Sequence, residues 1–159
     1  MAQMVPPRLS SSFDNYGEKY VFKLFENSTE TDDWIILHSL LLQKHINQRY
    51  GEIDFVVLAP EYGIFCIEVK GSYKIKRDDG IWYFFDKKGN IQYEKQKSPF
   101  QQSHESMQSL KEYIRDKLGT DYFNLNFGYG LVFPNLEWKN RGPDEEPYMI
   151  YDAVKKNTV

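Results

Sequence analysis

The sequence predicts an α/β domain built on a mixed central β-sheet flanked by helices. Three observations carry that class. Residues 51–58 and 63–71 are short, apolar and β-branched, and the turn Ala59-Pro60-Glu61-Tyr62-Gly63 separates them, so they read as neighbouring antiparallel strands. Residues 15–26 and 98–118 carry apolar side chains at helical spacing instead. The whole chain runs helix, strand, strand, strand, hairpin, helix, strand, an order that layers helices on a sheet.

Taken in order, residues 1–14 are Pro- and Ser-bearing and are expected to be loose. In the first helix Tyr20, Val21, Leu24 and Phe25 form the apolar stripe, and Glu18 borders it one and two turns from Phe22 and Phe25. Asn15-x-x-Glu18 also resembles a capping box, with Glu18 reaching back to a backbone N–H. Asp32 and Asp33 precede the apolar run 34–42, whose β-branched and aromatic start suits a strand, while its Leu-rich tail would equally extend a helix. Residues 43–50 are polar and read as the connection. His38 and His45 belong to no His/Cys cluster and read as packing or surface residues rather than metal ligands.

Strands 51–58 and 63–71 carry apolar residues on both faces, as central strands covered on two sides do. After them come an acidic turn at Asp78-Asp79-Gly80, the aromatic run Trp82 to Phe85, a turn at 86–90 and a returning strand at 91–93. These predict a hairpin beside the core, its aromatics packed on the sheet in preference to stacking on unpaired bases. Ser98-Pro99-Phe100-Gln101 is a helix start with Ser at the N-cap and Pro at N1. Phe100, Met107, Leu110, Tyr113, Ile114 and Leu118 mark the apolar face of that helix, and Gly119 ends it. Residues 124–133 give a last strand ended by Pro134, and 148–151 could form one more short strand within a polar tail.

Three side chains contradict this apolar pattern. Asp54, Glu68 and Lys70 sit in strands that should avoid charge. Glu68 and Lys70 share a face because strand side chains alternate, and the obvious hairpin register brings Asp54 near both. Two carboxylates and an ammonium at the end of a buried hairpin make a divalent-metal site with a charged helper.

Asp54, a turn-bearing gap, and Glu68-x-Lys70 resemble the PD-(D/E)xK nuclease superfamily. The flanking words Gly51-Glu52-Ile53-Asp54 and Ile67-Glu68-Val69-Lys70-Gly71 resemble more specifically its nuclease-related domain, over most of the chain. Ile53 stands where the superfamily motif has Pro. The resemblance implies a restriction-endonuclease-like core at 15–134, with the site at one edge of the sheet where the two strands diverge, and 135–159 as a C-terminal extension or linker to a further domain. It implies a Mg²⁺- or Mn²⁺-dependent nuclease with nucleic acid, foremost DNA, as substrate. Asp54, Glu68 and the Val69 backbone carbonyl would hold the metal, and Lys70 would orient a water and stabilise developing charge. In the family a Gly-Glu pair opens the first helix and a Pro-x-x-Gln motif faces the active centre. Glu18 and Gln102 match these positions, Gln101 being assigned to the helix cap. Relatives fused to helicase or kinase modules imply the alternative, a degenerate module that binds nucleic acid or couples such a partner.

Composition bounds these readings. The chain has 159 residues, 41% hydrophobic and 16% aromatic, enough for one folded domain. Its single cysteine, Cys66, excludes an internal disulfide framework and suits a reducing, cytoplasmic setting. No apolar run is long enough to span a membrane, and the first residues lack a signal peptide's apolar core. The net charge of −3 does not suggest a nucleic-acid binder. Locally, though, residues 70–97 hold eight basic and four acidic side chains. Lys74, Lys76 and Arg77 are the candidates there for tracking phosphates, a solvated hairpin surface being the other reading.

Overall fold

The computed structural model describes residues 1–42, 51–119, 124–139, 142 and 145–156. His45 and the polar connection at 43–50 lie outside them. The chain order is β1 (Gln3–Val5), α1 (Tyr16–Glu26), β2 (Ile35–Leu42), β3 (Gly51–Ala59), β4 (Gly63–Val69), β5 (Lys74–Asp78), β6 (Ile81–Phe85), β7 (Ile91–Lys95), α2 (Pro99–Leu118), β8 (Phe127–Phe133), β9 (Ile150–Asp152) and α3 (Ala153–Lys156), with a 3₁₀ turn at Pro147–Met149 before β9. Six strands form a mixed sheet in the order β1-β2-β3-β4-β8-β9, and β5-β6-β7 form a separate antiparallel sheet. The fold is α/β with a mixed central sheet, consistent with a nuclease-like core.

β3 and β4 occupy the middle of the large sheet, which explains why both read as apolar on two faces. On one face Phe55, Val57 and Val69 pack with Val21 and Phe22 of α1. On the other, Val56 and Cys66 pack with Met107 and Leu110 of α2. The Cys66 thiol is buried there, and burial pushes its pKa up to about 12. Run 34–42 resolves as strand from Ile35 to its end, because pairing with β3 gives its leucines a ladder that a helix would forfeit.

Three differences from the sequence reading have physical causes. Residues 3–5, expected within a loose segment, form an edge strand parallel to β2, since Ala2 and Met4 find an apolar layer to bury against. The segment from 135 onward, read as an extension that could hold a short strand at 148–151, supplies that strand as β9 but seats it in the large sheet, parallel to β8, and buries Trp138 and Ile150 beneath the small sheet. Tyr113 and Leu118, expected on the apolar face of α2, are exposed. A twenty-residue helix spans about 30 Å, and beyond Ile114, which still packs on the cluster of Met107 and Leu110, its end is exposed. Among the described residues no helix is long and apolar enough to cross a membrane.

Candidate active site

The β3–β4 ladder ends at Phe55 and Ile67, and the candidate site opens where these two strands part. This is an end of the two central strands rather than a lateral edge of the sheet. Beyond the last pair, Asp54 replaces a backbone partner with its own carboxylate: Oδ2 accepts a hydrogen bond from the Val69 N–H at 2.8 Å. The opposite ladder, β2–β3, skips Ser39 across from Asp54, and Ser39 has a φ of +54°. That break reverses which layer each side chain enters. Phe55 joins the α1 side, whereas Ile53 joins the α2 side.

Glu68 and Lys70 share a face, as period two requires, and are 2% and 6% exposed. The Lys70 Nζ donates to Glu68 Oε1 at 2.5 Å, and Gln102 Nε2 donates to the same oxygen at 2.5 Å. Glu68 Oε2 is buried with no hydrogen-bond partner among the described residues. Burial works against the Lys70 charge, but the Glu68 carboxylate outweighs it and holds the ammonium above its ordinary pKa. Burial, then the Glu68 charge, raises the Asp54 carboxyl well above the carboxylate range.

Glu18 enters from the first turn of α1. Asn15 caps the helix by accepting from the Glu18 N–H at 3.2 Å. The Glu18 side chain does not return to the Asn15 backbone. Its Oε1 takes the Asn15 amide at 2.5 Å, and Oε2 lies 2.7 Å from His38 Nε2. Asn15 thus supplies the cap, while the Glu18 carboxylate, expected to reach back to a backbone N–H, is held by the Asn15 side chain and His38 instead. Burial, then the charges of Glu52 and Glu68, raises Glu18 to about 7. A glycine contact marks this approach: a Cβ on Gly17 would stand 3.1 Å from Gly71 Cα and from Val69 Cγ1, so a side chain there would force its neighbours to give by a few tenths of an ångström. Gln102 reaches the cleft from α2 because Ser98 Oγ and Pro99 start the helix there, with Ser98 capping the Gln101 N–H at 2.9 Å. The Gln101 side chain turns to Glu105.

These groups line one cleft of about 650 Å³, together with Glu52, Tyr93 and Lys95, which the sequence reading did not single out. Lys95 Nζ donates to Gln102 Oε1 at 3.1 Å. Burial, then the nearby Lys70 charge, lowers the Lys95 pKa. Phe84 lies 5.9 Å from Lys70 Nζ, and Tyr93 stacks on Phe84 with centroids 4.5 Å apart. His38, read as a packing residue, is buried among Phe13, Phe22 and Phe55 and also holds Glu18. The motif Asn15-x-x-Glu18 beside a buried-strand histidine was the available signal.

Lys74, Lys76 and Arg77 lie outside this group. They stand on β5, about 10 Å across the small sheet from β7. Lys76 pairs with Asp78, Lys74 lies over Phe85, and Arg77 lies over Trp82 beside a different hollow. None of the three lines the cleft.

The donors at the strand ends are all oxygen, the chemistry of a hard divalent cation. Glu68 Oε2 is an orphaned acceptor, and an unpaired buried acceptor is costly. Asp54 beside Glu68 is a like-charge pair that a cation would relieve. Among the described residues no three His, Cys, Asp or Glu side chains converge as a metal cage; a cation at the strand ends would be held by Asp54, Glu68 and the Val69 carbonyl.

Comparison with known proteins adds one positive finding. The model of the nuclease-related domain family matches residues 14–134. No curated protein matches the chain, and no solved structure does.

Proposed function

The chain belongs to the nuclease-related domain family, and from that premise we propose that it is a metal-dependent nuclease hydrolysing phosphodiester bonds of nucleic acid, most readily DNA. The observation that carries this reading is the buried Glu68, whose Oε1 is held by Lys70 and Gln102 while Oε2 lacks any partner beside Asp54. Fold stability gives little reason for such a cluster, since apolar replacements of a buried ion pair are often at least as stable.

A phosphodiester is protected by its own negative charge, so the site must neutralise oxygens and deliver a water in line. Mg²⁺ or Mn²⁺ held by Asp54, Glu68 and the Val69 carbonyl would supply charge neutralisation and a more acidic water. Lys70, a compact cation fixed by Glu68 and backed by Phe84, orients that water and stabilises charge growing on the phosphoryl oxygens. Gln102 holds the Glu68 carboxylate and, with Lys95, faces the incoming phosphate. Glu18, anchored by Asn15 and His38, orients water from the α1 side. The water oxygen bonds to phosphorus and gives up a proton to solvent, the bond to the leaving oxygen breaks, and that oxygen takes a proton from solvent in return. The competing reading is a degenerate binding or coupling module, in which the lysine and acids only pair.

The experiment is incubation of purified protein with supercoiled plasmid and with single-stranded DNA, in Mg²⁺, Mn²⁺ or EDTA, beside Lys70→Met. Cleavage that needs metal and Lys70 supports the proposal. No cleavage of either substrate by wild type under any metal condition overturns it.

A further inference from the structure

We infer that the cleft takes an unpaired stretch of nucleic acid, one base stacking on the ring of Tyr93 and an adjoining phosphate meeting Lys95. This rests on the nuclease reading of the same cleft.

The reacting groups lie at its floor, with Glu68 and Lys70 almost wholly buried. A phosphate must descend to them through a space of about 650 Å³, the size of a small-molecule pocket. That space suits a nucleotide or two; a duplex, whose major groove alone is about 12 Å wide, would have to lie across its mouth.

Charge argues in the same direction. The residues lining the cleft include five carboxylates (Asp14, Glu18, Glu52, Asp54 and Glu68) but only two lysines, Lys70 and Lys95. The lysines and arginine of β5 stand elsewhere. With two cations to meet phosphates, and with Glu18 and Asp54 partly protonated near neutrality, ionic attraction for a densely charged duplex is small, and much of the affinity has to come from contacts that are not ionic.

The wall of the cleft supplies one. Tyr93 is 37% exposed on the outer strand of the small sheet. Its ring lies nearly parallel to Phe84, at 17°, and Phe84 is fully buried. A ring backed in this way is a fixed platform, and every base has a face to lay on it. Tyr73, 42% exposed, lines the same cleft. Lys95 Nζ sits over the Tyr93 ring, 5.8 Å from its centroid, and donates to the Gln102 side chain; a base stacking on the ring would displace it toward the adjoining phosphate. Bases are available for stacking only where they are unpaired.

The test is fluorescence anisotropy in EDTA with a labelled single strand and its duplex, for wild type, Tyr93→Leu, Tyr93→Phe and Tyr73→Leu, each checked by thermal melting. The inference expects wild type to bind the single strand at least about tenfold more tightly than the duplex, with a shallow salt dependence. Tyr93→Leu should weaken single-strand binding at least about fivefold, the low end of one lost stacking contact, and Tyr93→Phe should retain it. If Tyr93→Leu fails to fold, Tyr73→Leu should weaken binding and a 2-aminopurine base in the strand should be quenched by wild type. Duplex bound as tightly as single strand, or single-strand affinity unmoved by the folded leucine variants, overturns the inference. Metal-dependent cutting of duplex alone would overturn it and leave the nuclease reading standing. Tyr93-dependent binding of single strands with no cleavage would support the stacking surface and sink the nuclease reading.

Discussion

His38 Nε2 lies 2.7 Å from Glu18 Oε2, so a histidine buried in β2 fixes a glutamate on the first turn of α1. Burial lowers the His38 pKa and raises that of Glu18 to about 7, so the contact near neutrality is one between a neutral ring and a carboxyl close to its midpoint.

A pH dependence follows from these shifts. Glu18 holds its proton more tightly when folded, so its contribution to stability is full below 4.5 and lost as pH rises through about 7. Asp54, also raised, acts in the same direction. His38 acts oppositely, but only below its ordinary 6.5. Between roughly pH 6.5 and pH 8 the melting temperature in EDTA should therefore fall, and Glu18→Gln should flatten the fall. An equal fall in both proteins would exclude Glu18 as a source.

Metal binding should show the converse trend. Mn²⁺ titrated by calorimetry should bind more tightly as pH rises over the same interval, because protons on Asp54 oppose it. Asp54→Asn and Glu68→Gln should each abolish binding. Affinity equal to wild type in both variants would remove these residues from the ligand set.

Lys70→Met tests catalysis and pairing together. Removing the ammonium leaves Glu68 buried without its partner, at a cost of about 3–5 kcal/mol, so melting in EDTA should drop. Mn²⁺ should recover much of that loss by neutralising the carboxylates. Cleavage should still be lower by at least about two orders of magnitude, the scale of one missing charge stabiliser, roughly 2.7–4 kcal/mol. A metal-stabilised Lys70→Met that cuts at the wild-type rate would falsify the role given to Lys70.

Gly17→Ala and Gly71→Ala form a contrast. A Cβ at Gly17 meets backbone at 3.1 Å, whereas one at Gly71 comes no nearer than 3.5 Å, an ordinary contact. Gly17→Ala should cost about 1–3 kcal/mol as an overpacked site and weaken Mn²⁺ binding by shifting Glu18. Gly71→Ala should melt close to wild type. The reverse ranking would refute the close packing of α1 on the end of β4.

Among nucleic-acid contacts, Lys95→Gln should weaken binding more than replacing Lys74, Lys76 and Arg77 together with alanine. Anisotropy titrations with a single strand would decide it, and a larger loss from the triple variant would shift the contact surface to β5.

Much of the fold was legible because it is written in short-range rules. Period two put Glu68 and Lys70 on one face, and the Asn15 and Ser98 caps started the two helices that deliver Glu18 and Gln102. What escaped depends on how distant pieces meet. Glu52, Tyr93 and Lys95 join the cleft through the ladder break at Ser39 and the placement of the small sheet, neither of which has a local signature. The lysine-rich run after Lys70 divides for the same reason: Lys70 and Lys95 line the cleft, whereas Lys74, Lys76 and Arg77 on β5 do not. β1 was missed because three residues carry too little periodicity to read.

Cys66 has a use in the laboratory. It is the chain's only cysteine, it is 1% exposed, and its thiol is held protonated up to about 12. Maleimides react with thiolate at an exposed sulfur, so the native chain should stay silent toward them while folded. A cysteine introduced at an exposed position such as Gln92 on β7 or Tyr16 on α1 would then take a dye or spin label selectively, with no background cysteine to remove. Both positions line the cleft, so the distance between labels there could be followed as metal and oligonucleotide are added.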